Sequence, residues 1–154
     1  MKIVVDAMGG DHAPEAVVEG AVIAAREYNT EIILTGLSDT VQTILDRFDP
    51  DHKLPIEVVH ADEVVEMHDL PGKALRSKRK SSMKIGLDLL KDGTASAFVS
   101  AGNTGAVLAY STVILRPLKG VDRPAIAIQL PTLKGNAILL DAGANVDCKT
   151  SQLF

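Results

Sequence analysis

The chain predicts an α/β fold, a three-layer α/β/α arrangement with a mostly parallel sheet and one antiparallel hairpin strand. Three observations lead there. Short β-branched runs alternate with amphipathic segments of helical period, as in βαβ units. Two apolar runs end in glycine-bearing turns, at Gly9-Gly10 and at Gly102 to Gly105, and a helix-forming segment follows each. One link between strands, residues 131–135, is too short for a parallel crossover. With 154 residues and 46% hydrophobic content, the chain suffices for one α/β unit over 1–154.

Residues 2–5 form the first strand, which ends at Asp6, and Ala7 to His12 form its loop. Pro14 opens a helix to about Tyr28, with Val17, Val18, Ala21, Val22 and Ala25 along one face. Residues 31–36 are the second strand. Ser38 is the expected N-cap of a helix whose Val41, Ile44, Leu45 and Phe48 follow the i, i+3, i+4, i+7 spacing. Residues 56–60 make a third strand, and residues 61–71 are acidic and irregular.

A basic helical segment is expected over 72–80, then a helix capped by Ser81 or Ser82 that runs to Lys91 and buries Met83, Leu87 and Leu90. The run from Ala95 to Ser100 is expected as the central strand, and the apolar stretch to Leu115 as its helix. Strands at 125–130 and 136–141 should pair antiparallel across the five-residue link. Asp141 to Asp147 is a third small-residue loop, and a further helix should start at Cys148. Its brevity suggests a fragment.

Composition narrows the function. The single Cys148 rules out an internal disulfide framework and fits a reducing cytoplasm. No apolar run reaches the ~18 residues of a membrane span. Formal charge is −4, yet residues 73–84 hold six cations and no acid, a patch for an acidic partner or a solvated helix face. With no Trp, two Tyr and three Phe, the chain lacks platforms for stacking bases, which argues against nucleic acid. His52, His60 and His68 have no metal-ligand spacing.

If the first, central and last strands run parallel, loops 8–12, 101–105 and 142–147 emerge at one sheet edge, where ligands of such folds bind. The turn from Ser100 to Gly105 places glycines, Asn103, Thr104 and a helix N-terminus together, which suits a phosphate or an oxyanion. Asn145 is a donor on the facing loop, and Arg123 or Lys149 balances the charge. Asp6, Asp11 and His12 are candidates for orienting a cation or water. Helix capping explains Asp11 and His12 equally well, and strand-end or N-cap work explains Asp141 and Asp147.

Four blocks are specific together: Asp6-Ala7-Met8-Gly9-Gly10-Asp11-His12-Ala13-Pro14, Ser100-Ala101-Gly102-Asn103-Thr104-Gly105-Ala106, Asp122-Arg123-Pro124-Ala125, and Leu140-Asp141-Ala142-Gly143-Ala144-Asn145-Val146-Asp147. With Lys78-Arg79-Lys80-Ser81-Ser82-Met83 between them, the chain resembles the N-terminal half of the phosphate acyltransferase PlsX family. The resemblance implies a fold similar to isocitrate/isopropylmalate dehydrogenase-like proteins. It also implies an enzyme of bacterial phospholipid synthesis that moves a fatty acyl group from acyl carrier protein to inorganic phosphate.

Such an enzyme is homodimeric, cytoplasmic and peripheral to the inner membrane, and supplies acyl phosphate to a membrane glycerol-3-phosphate acyltransferase. It needs no cofactor and no metal. On that basis Asn103, Asn145 and His12 are the catalytic candidates. Gly9, Gly10, Asp11, Ser100, Gly102, Thr104, Gly105, Arg123 and Lys149 are the substrate-binding ones, and Arg76, Lys78, Arg79 and Lys80 would dock the carrier protein. The chain by itself is expected to be inactive. A truncated dimerisation or binding module is the alternative. A nucleotide-dependent dehydrogenase fits less well, because Gly9-Gly10 and Gly102-x-x-Gly105 do not make Gly-x-Gly-x-x-Gly.

Overall fold

The computed structural model describes residues 1–121 and 124–141. The chain divides into two compact units, residues 1–115 and 116–154. In the first, β1 (Lys2–Asp6), α1 (Glu15–Tyr28), β2 (Glu31–Gly36), α2 (Ser38–Phe48) and β3 (Ile56–His60) alternate, followed by α3 (Pro71–Ser77), α4 (Ser82–Lys91), β4 (Ala97–Val99) and α5 (Thr104–Ile114). The four strands form one sheet in the order β3-β2-β1-β4, with every pairing parallel.

Strand alternation decides which helix packs where. Ile32 and Leu34 of β2 join Val18, Ala21 and Val22 of α1 and Val41, Ile44 and Leu45 of α2 in one apolar cluster. Val4 and Ile33 point the other way and meet Leu89 of α4 and Phe98 of β4. The three-layer expectation is thereby met. Gly86 lets α4 approach closely, since a Cβ there would lie 2.5 Å from the Phe98 ring and 3.0 Å from Val4.

Several local expectations change. Ser38 is the first residue of α2 and not its cap: Leu37 occupies the cap position, and the Ser38 hydroxyl lies 2.9 Å from His60 Nδ1 at the end of β3. Ser81 does cap α4, accepting from the Lys84 N–H at 3.3 Å. Leu90 is only half-buried. The basic segment is helical over seven residues, because Lys78 leaves helical geometry and its N–H closes on Ala74 O at 2.8 Å. β4 is three residues long and lies at the end of the sheet among the described residues, not at its centre.

In the second unit, β5 (Ala127–Thr132) and β6 (Gly135–Leu140) pair antiparallel. The link is shorter than expected: Thr132 pairs with Gly135 around Leu133-Lys134, and Gly135 takes φ 135°, open to glycine. Both strands are exposed along their whole length. Among the described residues, no helix is long and apolar enough to cross a membrane.

Candidate functional site

The loops after β1 and β4 touch at the carboxyl edge of the sheet. A Cβ on Gly9 would fall 2.7 Å from Asp6 Oδ2, 2.7 Å from Ser100 Oγ and 3.0 Å from the Gly102 nitrogen, so only glycine fits. Gly10 has φ 118° and its missing Cβ faces Ala101 at 3.2 Å. Two of the three loops expected to converge therefore do so. The third, residues 142–147 with Asn145, lies outside the described residues, as do Arg123 and Lys149.

Asp6 is the buried centre of this junction, only 2% exposed. Its Oδ2 accepts from Ser100 Oγ at 2.8 Å and its Oδ1 from the Met8 N–H at 3.3 Å, and Ser82 at the start of α4 adds a side-chain hydrogen bond. Burial pushes its carboxyl above the usual carboxylate range, while the donors from Ser82, Ser100 and Met8 pull it back. Ser100 Oγ also accepts from the Gly102 N–H at 3.1 Å. Ser100 and the Gly102 N–H, both expected at a substrate, are thus engaged in holding the two loops together.

Asn103 is likewise committed. Its Oδ1 accepts from the Ala106 N–H at 3.0 Å, capping α5, and its Nδ2 donates to Met67 O at 2.9 Å and Asp69 O at 3.0 Å. Both amide donors are in use. A direct oxyanion contact from this side chain would need one of those bonds to break, and its observed geometry is that of a brace between α5 and the segment before α3.

What remains open to solvent is a different set. Thr104 and Gly105 are exposed in the first turn of α5, and among the described residues their N–H groups donate to no protein acceptor. The side chains of Asp11 and His12 are exposed and unbonded among the described residues; neither caps α1, whose cap position is Pro14. With Gly9, Gly10 and Ala101 they border a groove of about 790 Å³ lined by Ile3, Val5, Val17, Ile32 and Val99. Its walls are chiefly apolar; Asp11 and His12 contribute a carboxyl and an imidazole at the loop end, and Tyr28 and the amino-terminal Met1 also line it. Among the described residues, no three His, Cys, Asp or Glu side chains gather to hold a metal.

The basic run also divides. Lys78 Nζ binds Asp69 at 2.5 Å and Val64 O at 2.7 Å, and Lys80 Nζ binds Asp62 at 2.9 Å. Each ammonium holds its partner carboxyl below the usual range. Lys84 pairs with Asp88 one turn along α4. Lys73, Arg76 and Arg79 are exposed and have no carboxylate partner among the described residues.

Sequence reasoning did not find Tyr110 or Ser82 as organising groups. The Tyr110 hydroxyl lies 2.8 Å from both Ala74 O and Lys78 O in a fully buried position, tying α5 to the end of α3. The signal was available: a tyrosine on an otherwise apolar helix must find a buried partner, and adjacent Ser81-Ser82 before a helix can cap with only one hydroxyl.

A model of the fatty acid synthesis protein family matches residues 1–154. The chain belongs to this family. It is 52% identical over 98% of its length to a protein of Koribacter versatilis (strain Ellin345) named phosphate acyltransferase, covering 42% of that relative. Relatives of the same name from Anaeromyxobacter sp. (strain Fw109-5) and Alkaliphilus oremlandii (strain OhILAs) are 54% and 49% identical, with 42% and 46% of their lengths covered. The chain thus spans less than half the length of the curated relatives it matches. Within this family, the loop junction around Asp6 lies in the matched portion.

Proposed function

We propose that the protein contributes the phosphate-binding portion of an acyltransferase that moves a fatty acyl group from acyl carrier protein to inorganic phosphate. The observation that carries this is the junction itself: two glycine loops in contact at the carboxyl edge of a parallel sheet, followed by the exposed first turn of α5, where the N–H groups of Thr104 and Gly105 have no acceptor among the described residues. Membership of a family whose relatives are named phosphate acyltransferase supports it.

In the reaction, a phosphate oxygen attacks the thioester carbonyl carbon, a C–O bond forms, the C–S bond breaks, and the departing thiolate takes up a proton. Phosphate is already anionic near neutral pH, having lost its second proton at about pH 6 to 7, and a thiol of pKa ~8.5 leaves readily. What the protein must supply is placement and oxyanion stabilisation. The first turn of α5 offers N–H donors and the positive end of a helix dipole. On this reading Asn145 supplies a further hydrogen-bond donor, Arg123 or Lys149 balances the charge, and His12 orients a water or a cation at the reacting groups. Asn103 acts by fixing the turn. The apolar groove beginning at His12 supports an aliphatic substituent on the thioester.

The resemblance to the PlsX family supports a homodimer working peripherally at the cytoplasmic membrane face, whose acyl phosphate goes on to a membrane glycerol-3-phosphate acyltransferase. The test is acyl hydroxamate formed by the whole protein from acyl carrier protein thioester in the presence of hydroxylamine. Formation that requires phosphate is expected. Equal hydroxamate without phosphate, beyond the uncatalysed rate, overturns the proposal.

A further inference from the structure

Hydrogen bonding divides the six cations of residues 73–84 into two classes, and the division points to a docking face narrower than the charge run. Lys78, Lys80 and Lys84 are each neutralised by a carboxylate of the same unit, Asp69, Asp62 and Asp88. Lys73 and Arg76 stand three residues apart on α3, so they are neighbours on its surface. Arg79, just past the helix, is drawn back to it by a hydrogen bond from its Nε to Arg76 O at 3.3 Å. Two exposed guanidinium groups and one exposed ammonium are thereby gathered with no carboxylate among the described residues to balance them.

We propose that Lys73, Arg76 and Arg79 form the docking face for an acidic protein surface, that of the carrier bringing the thioester. The identity of that partner rests on the proposed function. A protein surface is favoured over an anionic membrane by what α3 does with its apolar residues: Ala74 is buried and Leu75 half-buried, both packed in the cluster with Met83, Leu87 and Tyr110, so the helix itself presents no apolar stripe, and the exposed Leu70 and Met67 lie before its first turn. The face is also mechanically joined to the candidate site. Tyr110 holds the carbonyls of Ala74 and Lys78, and Asn103 holds those of Met67 and Asp69, so both ends of the α3 segment are fixed by α5, the helix whose first turn carries Thr104 and Gly105. Lys78 is a positioning residue here, its ammonium turned inward to Val64 O and Asp69.

The experiment is fluorescence anisotropy of labelled acyl carrier protein titrated with the protein, across a series of salt concentrations. The triple variant Lys73→Glu, Arg76→Glu, Arg79→Glu is compared with Lys91→Glu, an exposed cation at the end of α4. Single Arg76→Glu guards against misfolding of the triple variant, and thermal melts check each protein. Affinity of the triple variant is expected to fall about ten-fold or more at low ionic strength, with a flatter salt dependence, because exposed charges act mainly through screened encounter. Arg76→Glu should fall in the same direction, and Lys91→Glu should match the wild type.

Unchanged affinity and salt slope in the triple variant overturn the proposal. So does an equal loss in Lys91→Glu, or binding to anionic vesicles in place of the carrier. Failure of the reaction proposal is read separately, from phosphate-dependent hydroxamate formed by the whole protein with a carrier-free acyl thioester. Turnover there, with the triple variant still binding carrier normally, removes the face and leaves the reaction; the reverse pattern leaves the face and removes the reaction.

Discussion

The loop junction at Asp6 and the basic segment around α3 look equally rich in functional side chains, yet they hold them in opposite ways. At the junction, the most suggestive groups are turned inward: Ser100 onto Asp6, the Gly102 N–H onto Ser100, Asn103 onto Ala106, Met67 and Asp69. Exposed backbone and the side chains of Asp11, His12 and Thr104 are left for a ligand. In the basic segment only part of the charge is turned inward, and Lys73, Arg76 and Arg79 remain as a face. A site for a small anion needs a rigid frame with few open donors, whereas an encounter surface needs open charge on long side chains.

The sharpest way to break this contrast is to crowd the junction. Gly9→Ala places a methyl group 2.7 Å from two side-chain oxygens and 3.0 Å from a backbone nitrogen, so the two loops must separate. A loss of about 2 to 3 kcal/mol is expected from overpacking, measured by urea denaturation, whereas Arg76→Ala should stay within about 0.5 kcal/mol. Equal effects would mean that the junction is not a rigid frame. Next in size is Asn103→Ala, which removes a helix cap and leaves two carbonyls without their donor. We expect a cost of about 2 kcal/mol. Asn103→Asp keeps the cap and should recover part of it.

Much of the fold was legible because it follows from alternation. The strands at 2–6, 31–36 and 56–60 and the helices between them are where β-branched runs and the 3.6-residue period put them. Ends that depend on one side chain's choice of partner were not legible. Ser38 could cap or bond elsewhere, and the His60 ring, brought alongside by parallel pairing of β2 with β3, takes its hydroxyl. The hairpin was legible as a hairpin, but its turn was not, since Pro131 next to Thr132 reads as a break and in fact pairs with Asn136. At the site, residue types at the loops were legible, but their commitments were not. Ser100 and Asp6 are 94 residues apart in sequence, and nothing local announces their 2.8 Å bond.

A smaller effect tests whether the inward half of the basic segment is structural. Lys78→Met keeps much of the stem but removes the ammonium from Asp69 and Val64 O, and should cost about 1 kcal/mol, as a partly exposed ion pair with one further hydrogen bond would. Arg79→Met, by contrast, should leave the melting temperature unchanged and weaken only binding of the acidic partner. A destabilisation of the same size in both variants would erase the division between braced and open cations.

The smallest effect is one of pH, and its sign differs between the two regions. Asp69 has its carboxyl lowered by the Lys78 ammonium, so its contribution to stability is present above the unfolded value of 3.8 and is lost as pH falls through the folded one. Asp6 is raised by burial, so the folded state binds its proton more tightly than the unfolded chain does. Its contribution is complete below 3.8 and declines as pH rises through the folded pKa. Asp6→Asn keeps an oxygen for the Met8 N–H and an amide that can donate to Ser100, without a buried charge. The pH dependence of the melting temperature should therefore flatten above pH 3.8 in Asp6→Asn and below it in Lys78→Met. If Asp6→Asn instead steepens the loss above pH 3.8, the carboxylate is stabilised at the junction and its donors outweigh its burial.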